Sequence, residues 1–169
     1  MSDGTQSPTS TARRVIQRGL WFEEFVEGTV YEHRPGRTVT EADNVLFTTL
    51  TMNTQALHLD AAWSAQQPGF GGQRLINSMF TLSTIVGLSV SQLTQGTLVA
   101  NLGFSEVSFP APLFAGDTLY AETECTGIRE SRSRPGEGVV NLLHVGRNQD
   151  GVVVARAARA TLVRKRPDD

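Results

Sequence analysis

The sequence predicts an α+β fold in which one curved antiparallel sheet wraps a single central helix. Three observations carry that prediction. Met79, Leu82, Ile85, Val86, Leu88, Val90 and Leu93 are apolar on several faces of one helix, so this helix needs covering on more than one side. Four long segments rich in β-branched and apolar residues follow, at 97–109, 118–129, 138–148 and 152–163, and these supply the cover. A chain of 169 residues with 39% hydrophobic content suffices for one buried core and is too short for two ordinary domains.

Taken in order, residues 1–14 are expected to be a mobile arm, because Ser, Thr, Gly and Pro dominate up to Thr11 and offer little to bury. The domain proper is assigned to 15–169, with the fold starting near Trp21. Residues 29–39 read as strand material interrupted by the turn pair Pro35-Gly36. Thr40 then precedes Glu41, Ala42 and Asp43 as a helix N-cap does, and Val45, Leu46, Thr49 and Leu50 give the short helix one apolar face. Asp60 caps a further helical turn through Ala65, and Pro68-Gly69 with Gly71-Gly72 marks a loop before the central helix. Between the strands, 110–117 is a proline-containing link, 131–137 an exposed hairpin loop, and Asp150-Gly151 a tight turn.

Composition narrows the function classes. Formal net charge is −2 and the basic residues are scattered, so no electrostatic footprint for nucleic acid or an anionic membrane is expected; the partner is a small molecule or another protein. The single cysteine, Cys125, excludes an internal disulfide and offers no metal-ligand cluster, and neither a cofactor nor a metal is expected. The first residues hold no apolar leader core, and no run approaches the roughly 20 apolar residues of a membrane span, so a cytoplasmic protein is expected.

The informative stretches are 50–60, LTMNTQALHLD, and 72–83, GQRLINSMFTLS, together with the connection FPAPLFAGD at 109–117. They resemble the hydratase motif of MaoC-like enzymes, that family's approach to its central helix, and its proline-containing Gly-Asp strand connection; the resemblance spans roughly 38–163. It implies a hot-dog fold and reversible hydration of 2-enoyl-CoA to 3-hydroxyacyl-CoA thioesters, with coenzyme A present only as part of the substrate. Carried over position by position, the family's catalytic histidine falls on His58 and its catalytic aspartate on Asn53. Gln55-Ala56 replaces the family's Asn-Pro, and Asn77-Ser78 replaces its His-Gly. The pattern Asn-Thr-Gln-x-Leu-His is similar to the branch containing mesaconyl-CoA hydratases and related dehydratases of C5 dicarboxylic acyl-CoA esters.

The chemistry explains why these residue types belong together. Adding water across a double bond conjugated to a thioester needs a base for the water, a proton donor to the α-carbon and a holder for the enolate oxygen. Histidine serves as base and acid around neutral pH, which makes His58 the first choice. Asn53 can orient a water or the imidazole but cannot accept a proton, and it can equally serve as a left-handed turn residue closing the preceding helix. The enolate oxygen is expected on backbone N–H groups of Ser78 and Met79, beside Asn77, at the start of the central helix. Arg74 can pair with a free acyl carboxylate, with the protein's own acids or with a CoA phosphate. Gln55 is expected to support the His58 loop through backbone hydrogen bonds, and Asp60 is read as a cap. His33 and His144, in strand-like stretches without a companion group, are read as non-catalytic.

Two alternatives remain open at this point: thioester hydrolysis on the same fold, and a non-catalytic acyl-CoA-binding subunit of a hetero-oligomer, in which an Asn at position 53 costs nothing. A free sheet edge predicts a homodimer or a higher assembly of dimers.

Overall fold

A computed structural model describes residues 13–167. The elements are β1 (Val30–Thr38), α1 (Glu41–Leu50), α2 (Ala56–Leu59), α3 (Ala61–Ser64), α4 (Ser78–Leu93), β2 (Leu98–Ser108), β3 (Thr118–Glu130), β4 (Glu137–Arg147) and β5 (Val153–Arg164). The strands form one antiparallel sheet in the order β1-β3-β4-β5-β2. The four long strand segments and the central helix thus stand where the sequence placed them. Of the expected N-terminal arm, residues 1–12 lie outside the described residues; Arg13 and Arg14 are exposed and in neither helix nor strand.

Period-two alternation gives the sheet one face for α4. Leu119, Ala121, Thr123 and Cys125 of β3 are buried at every second position. In register beside them run Leu142, His144 and Gly146 of β4 and Ala155, Ala157 and Arg159 of β5. Gly146 is where the helix comes closest: a Cβ there would sit 2.6 Å from Ile85 Cγ2. The glycine is a notch that admits the fully buried Ile85.

The core has two parts, one at each end of α4. Val39, Ile76, Phe80, Ile85, Leu113 and Leu119 surround its N-terminal half. Phe22, Phe25, Leu93, Cys125, Leu142 and Val163 close the other end. Chain entry into this second cluster begins slightly before Trp21, since Leu20 N–H already donates to Leu93 O at 2.9 Å.

Two expectations are corrected. Pro35-Gly36 does not turn the chain; it lies inside β1 as a bulge, with the register against β3 shifting between His33 and Arg37. The face of α1 is also reversed. Val45, Leu46 and Leu50 are 39%, 62% and 73% exposed, while Asn44 and Thr48 are completely buried. The polar pair is inside because Asn44 meets backbone groups of the neighbouring segments and Thr48 meets the Asn77 side-chain amide, partners that apolar side chains at 44 and 48 would leave unsatisfied.

The edge strand β2 differs from its neighbours. Most of its residues are exposed, Leu102, Phe104 and Val107 among them, and its register against β5 shifts three times.

Candidate active site

The site is assembled on α1. Thr40 and Asp43 form a reciprocal capping box, Thr40 Oγ1 accepting from Asp43 N–H and Asp43 Oδ2 accepting from Thr40 N–H at 2.9 Å. That fixes the helix start. After α1 the chain reverses through Met52, whose φ of 55° puts it in the left-handed region. The sequence reading offered Asn53 for that conformation. Asn53 instead accepts Gln55 N–H through Oδ1 at 3.0 Å, a local turn that leads into α2.

His58 lies on α2 and is 7% exposed. Gln55 precedes α2, its main-chain carbonyl accepting His58 N–H at 3.1 Å, while its side chain makes no capping hydrogen bond there. The ring is held by a second bond, Nδ1–H donating to Leu75 O at 2.8 Å. A carbonyl can only accept, so Nδ1 carries the proton and Nε2 of the neutral ring presents a lone pair. Nε2 has no protein partner among the described residues. Asp60 is the expected cap, accepting Trp63 N–H at 2.9 Å at the start of α3.

Leu75 connects this ring to the mouth of α4. The segment before the helix is pinned on both sides, Leu75 N–H donating to Leu57 O and Ile76 N–H to Leu113 O, each at 2.9 Å. A cleft of about 210 Å³ opens beside it, lined by Leu75, Ile76, Ser78, Thr81, Phe109 and Leu113 among others, with no charged side chain. Such a lining suits an acyl chain.

Asn77, 2% exposed, is the N-cap of α4: its Oδ1 accepts Met79 N–H at 3.0 Å and its Nδ2 donates to Thr48 Oγ1 at 3.2 Å. This corrects the expectation of two free amides. Met79 N–H is already used, because an Asn at the cap position satisfies an early helical donor with its own side chain. Ser78 N–H has no partner among the described residues and stands in the cleft wall. Of the two amides expected to be free, Ser78 N–H therefore remains, with the helix dipole, for developing negative charge.

Arg74 does not reach the cleft lining. Its guanidinium is ion-paired to Glu41 and donates to Leu59 O at 3.3 Å. The pairing with the protein's own acid is the reading that the structure follows.

His33 and His144 have a companion after all, each other. With Gln92 Oε1 accepting from His33 Nδ1–H at 2.8 Å, His33 Nε2 accepts the Thr123 hydroxyl, and Thr123 Oγ1 accepts from His144 Nδ1–H, both at 2.8 Å. Burial, followed by the nearby charges of Arg159 and His33, pushes the His144 pKa down to about 3. Burial likewise lowers His33 and Arg159.

The residue that sequence reasoning missed is Asn44. Its Nδ2 donates to His58 O and to Leu75 O, both at 3.1 Å, and its Oδ1 accepts Asn77 N–H at 2.9 Å. Its partners are 14, 31 and 33 positions away, a separation that leaves no local pattern. Among the described residues no group of three or more His, Cys, Asp or Glu side chains is placed to hold a metal, and no helix is long and apolar enough to cross a membrane.

Comparison with known proteins agrees with the motif. β-Methylmalyl-CoA dehydratase of Chloroflexus aurantiacus is 33% identical over 88% of this chain and 41% of that protein. Mesaconyl-CoA hydratase of Cereibacter sphaeroides is 31% identical over 88% of this chain and 42% of that protein. The chain therefore spans about two fifths of the length of these curated relatives. A Mycobacterium tuberculosis protein with a double hot-dog fold superposes with a TM-score of 0.79 at 25% identity, over 89% of this chain and 46% of that one. Residues 24–148 match the MaoC like domain, and with the wrapped-helix architecture this makes the chain a member of the MaoC-like hydratase/dehydratase family, built as a hot-dog domain.

Proposed function

We propose that this chain catalyses the reversible hydration of a 2-enoyl thioester to a 3-hydroxyacyl thioester, with His58 as the proton carrier. The supporting observation is the fixed ring: Nδ1–H is committed to Leu75 O, which leaves the Nε2 lone pair as the acceptor for a water proton. As Nε2 takes that proton, the hydroxyl adds to the β-carbon and charge moves to the thioester oxygen. Ser78 N–H, at the positive end of α4, faces that charge. The Nε2–H of the imidazolium then returns its proton to the α-carbon on the same face, so addition is syn. Asn53 cannot titrate; with its Oδ1 on Gln55 N–H, its Nδ2 remains to orient the water.

For the acyl chain, the proposal is a short branched C5 unit of the mesaconyl or itaconyl kind, supported by the substrates in the names of the two relatives. The cleft lining is uncharged and Arg74 is paired with Glu41, so a second carboxylate would compete with Glu41 for that guanidinium. Coenzyme A enters as part of the substrate. Incubation with crotonyl, mesaconyl and itaconyl thioesters and their 3-hydroxy partners tests the reading. Interconversion of at least one pair, lost in His58→Ala, is expected, and full activity in that variant would overturn it. Thiol release with the enoyl absorbance intact would instead indicate hydrolysis.

The assembly proposed is a homodimer through the exposed, apolar edge of β2, since an unpaired strand bearing Leu102, Phe104 and Val107 invites another edge. Sedimentation at micromolar concentration is expected to give twice the chain mass, and Phe104→Lys to lower it toward the monomer.

A further inference from the structure

We propose that Asn44 is a positioning residue for the base, holding His58 in the tautomer that leaves Nε2 bare. The proposal rests on the hydration reading for its consequence in turnover, but its first test involves no substrate.

The geometry admits one orientation of the Asn44 amide. Two of its contacts are backbone carbonyls, His58 O and Leu75 O, and the third is a backbone amide, Asn77 N–H. Turning the group over would set its oxygen against two carbonyl oxygens and its NH2 against an N–H. In the orientation present, both donors and the acceptor are used, in a side chain with no solvent exposure. A fully satisfied buried amide of this kind fixes its partners relative to one another.

Its three partners belong to the three pieces of the site. His58 O is on the helix carrying the base, Leu75 O is the acceptor for the base's Nδ1–H, and Asn77 caps the helix whose first residue, Ser78, lines the cleft. Leu75 O therefore receives two hydrogens, one from the imidazole and one from Asn44, and both of its lone pairs are occupied. A histidine side chain free in water prefers its proton on Nε2. Here the proton must lie on Nδ1 to reach Leu75 O, and Asn44 sets the position of that oxygen by tying it to the backbone of His58 itself. Without the amide the fold persists, because Leu75 and Ile76 keep their own backbone bonds to Leu57 and Leu113, but Leu75 O loses its tie to His58 O through Asn44 and is left to the ring alone. Neither Asn53 nor Gln55 can substitute. Both approach His58 from its own turn, and neither touches Leu75 among the described contacts.

The test uses the whole protein. In ¹⁵N NMR of the unmodified chain, His58 is expected with Nδ1 protonated and Nε2 bare; a protonated Nε2 and bare Nδ1 in the neutral ring would overturn the proposal without any variant being made. In Asn44→Leu, and more weakly in Asn44→Thr, whose hydroxyl can serve one carbonyl, the ring is expected to revert toward the Nε2-protonated form. On an active thioester substrate, kcat of Asn44→Leu is expected to fall about 100-fold, the scale of a misplaced reacting group. KM should move by less than about threefold, since the cleft lining is untouched. Thr40→Ala removes the cap of the same helix without touching this network, so it should lower the melting temperature and leave tautomer and kcat in place. A folded Asn44→Leu protein with His58 still protonated on Nδ1, or with kcat within about threefold of the parent, would refute the assignment. Should no thioester be turned over by the parent, the hydration reading falls and the NMR result alone decides the tautomer claim.

Discussion

His58 and His144 are both buried imidazoles with one nitrogen bonded and the other without a protein partner, and they differ in everything that matters for chemistry. His58 bonds a backbone carbonyl whose residue forms the wall of a cleft. His144, with no exposure at all, is bonded through Thr123 to His33, and its unpartnered Nε2 is sealed in beside Arg159, whose Nε and Nη2 are also buried without partners. The first ring is tied through Leu75 to the wall of a cleft, and its Nε2 has no protein partner among the described residues. The second is a neutral strut between strands, kept neutral by burial and by the cation next to it. Burial of a histidine is thus not evidence for a site; the tie to a cleft wall is what sets the first ring apart from the second.

The largest effect that separates the two rings is on turnover. His58→Ala is expected to lower kcat/KM by about 10³-fold, within the range for removing a general acid–base group, with little change in the urea midpoint. His144→Leu should leave turnover per folded molecule near the parent value. A matching loss of turnover in His144→Leu at full folding would break the comparison.

Next in size is an acid effect confined to the second ring. The folded-state pKa of His144 is depressed from 6.5 to about 3. As pH falls below 6.5 the unfolded chain takes up the proton first, so stability is lost between pH 6.5 and about 3 and is fully present above that window. The slope approaches about 1.4 kcal/mol per pH unit within the window, a few kcal/mol in all. Urea midpoints at pH 7 and pH 4 should differ less in His144→Leu than in the parent. An unchanged difference would show that other groups carry the acid response.

Smaller again is the effect of crowding the helix between the two regions. Gly146→Ala places a methyl group 2.6 Å from Ile85 Cγ2, which is expected to cost about 1–3 kcal/mol by overpacking. Shortening the opposing side chain with Ile85→Val should recover part of it. Thermal melts of the single and double variants measure the recovery.

The sequence shows clearly what depends on local periodicity and capping. The four long strands, α4, the Thr40 and Asp60 caps and the Asp150-Gly151 turn all follow from short-range patterns, and each is found within a residue or two of its expected place. It shows poorly what depends on distant partners. The outward apolar face of α1 was misread because Val45, Leu46 and Leu50 satisfy the helical repeat, whereas the reason to bury Asn44 and Thr48 lies in residues 58, 75 and 77. The amide of Met79 was counted as free because Asn77 was read as a departure from a family motif and not also as a cap. The link between His33 and His144 needed the β3–β4 register, which brings Thr123 opposite His144.

The hydroxyls along α4 have a consequence for how the domain changes over evolutionary time. Thr81, Thr84 and Ser89 donate to Asn77 O, Phe80 O and Val86 O, carbonyls of the helix or of its own cap. The helix thus satisfies these hydroxyls itself, and among the described contacts it asks one polar group of the strands beneath, His33 of β1 donating to Gln92. Seating then depends on shape, chiefly the fit of Ile85 into the Gly146 notch, so sheet residues away from that notch and from His33 are free to drift in sequence while the orientation of the helix mouth is inherited unchanged.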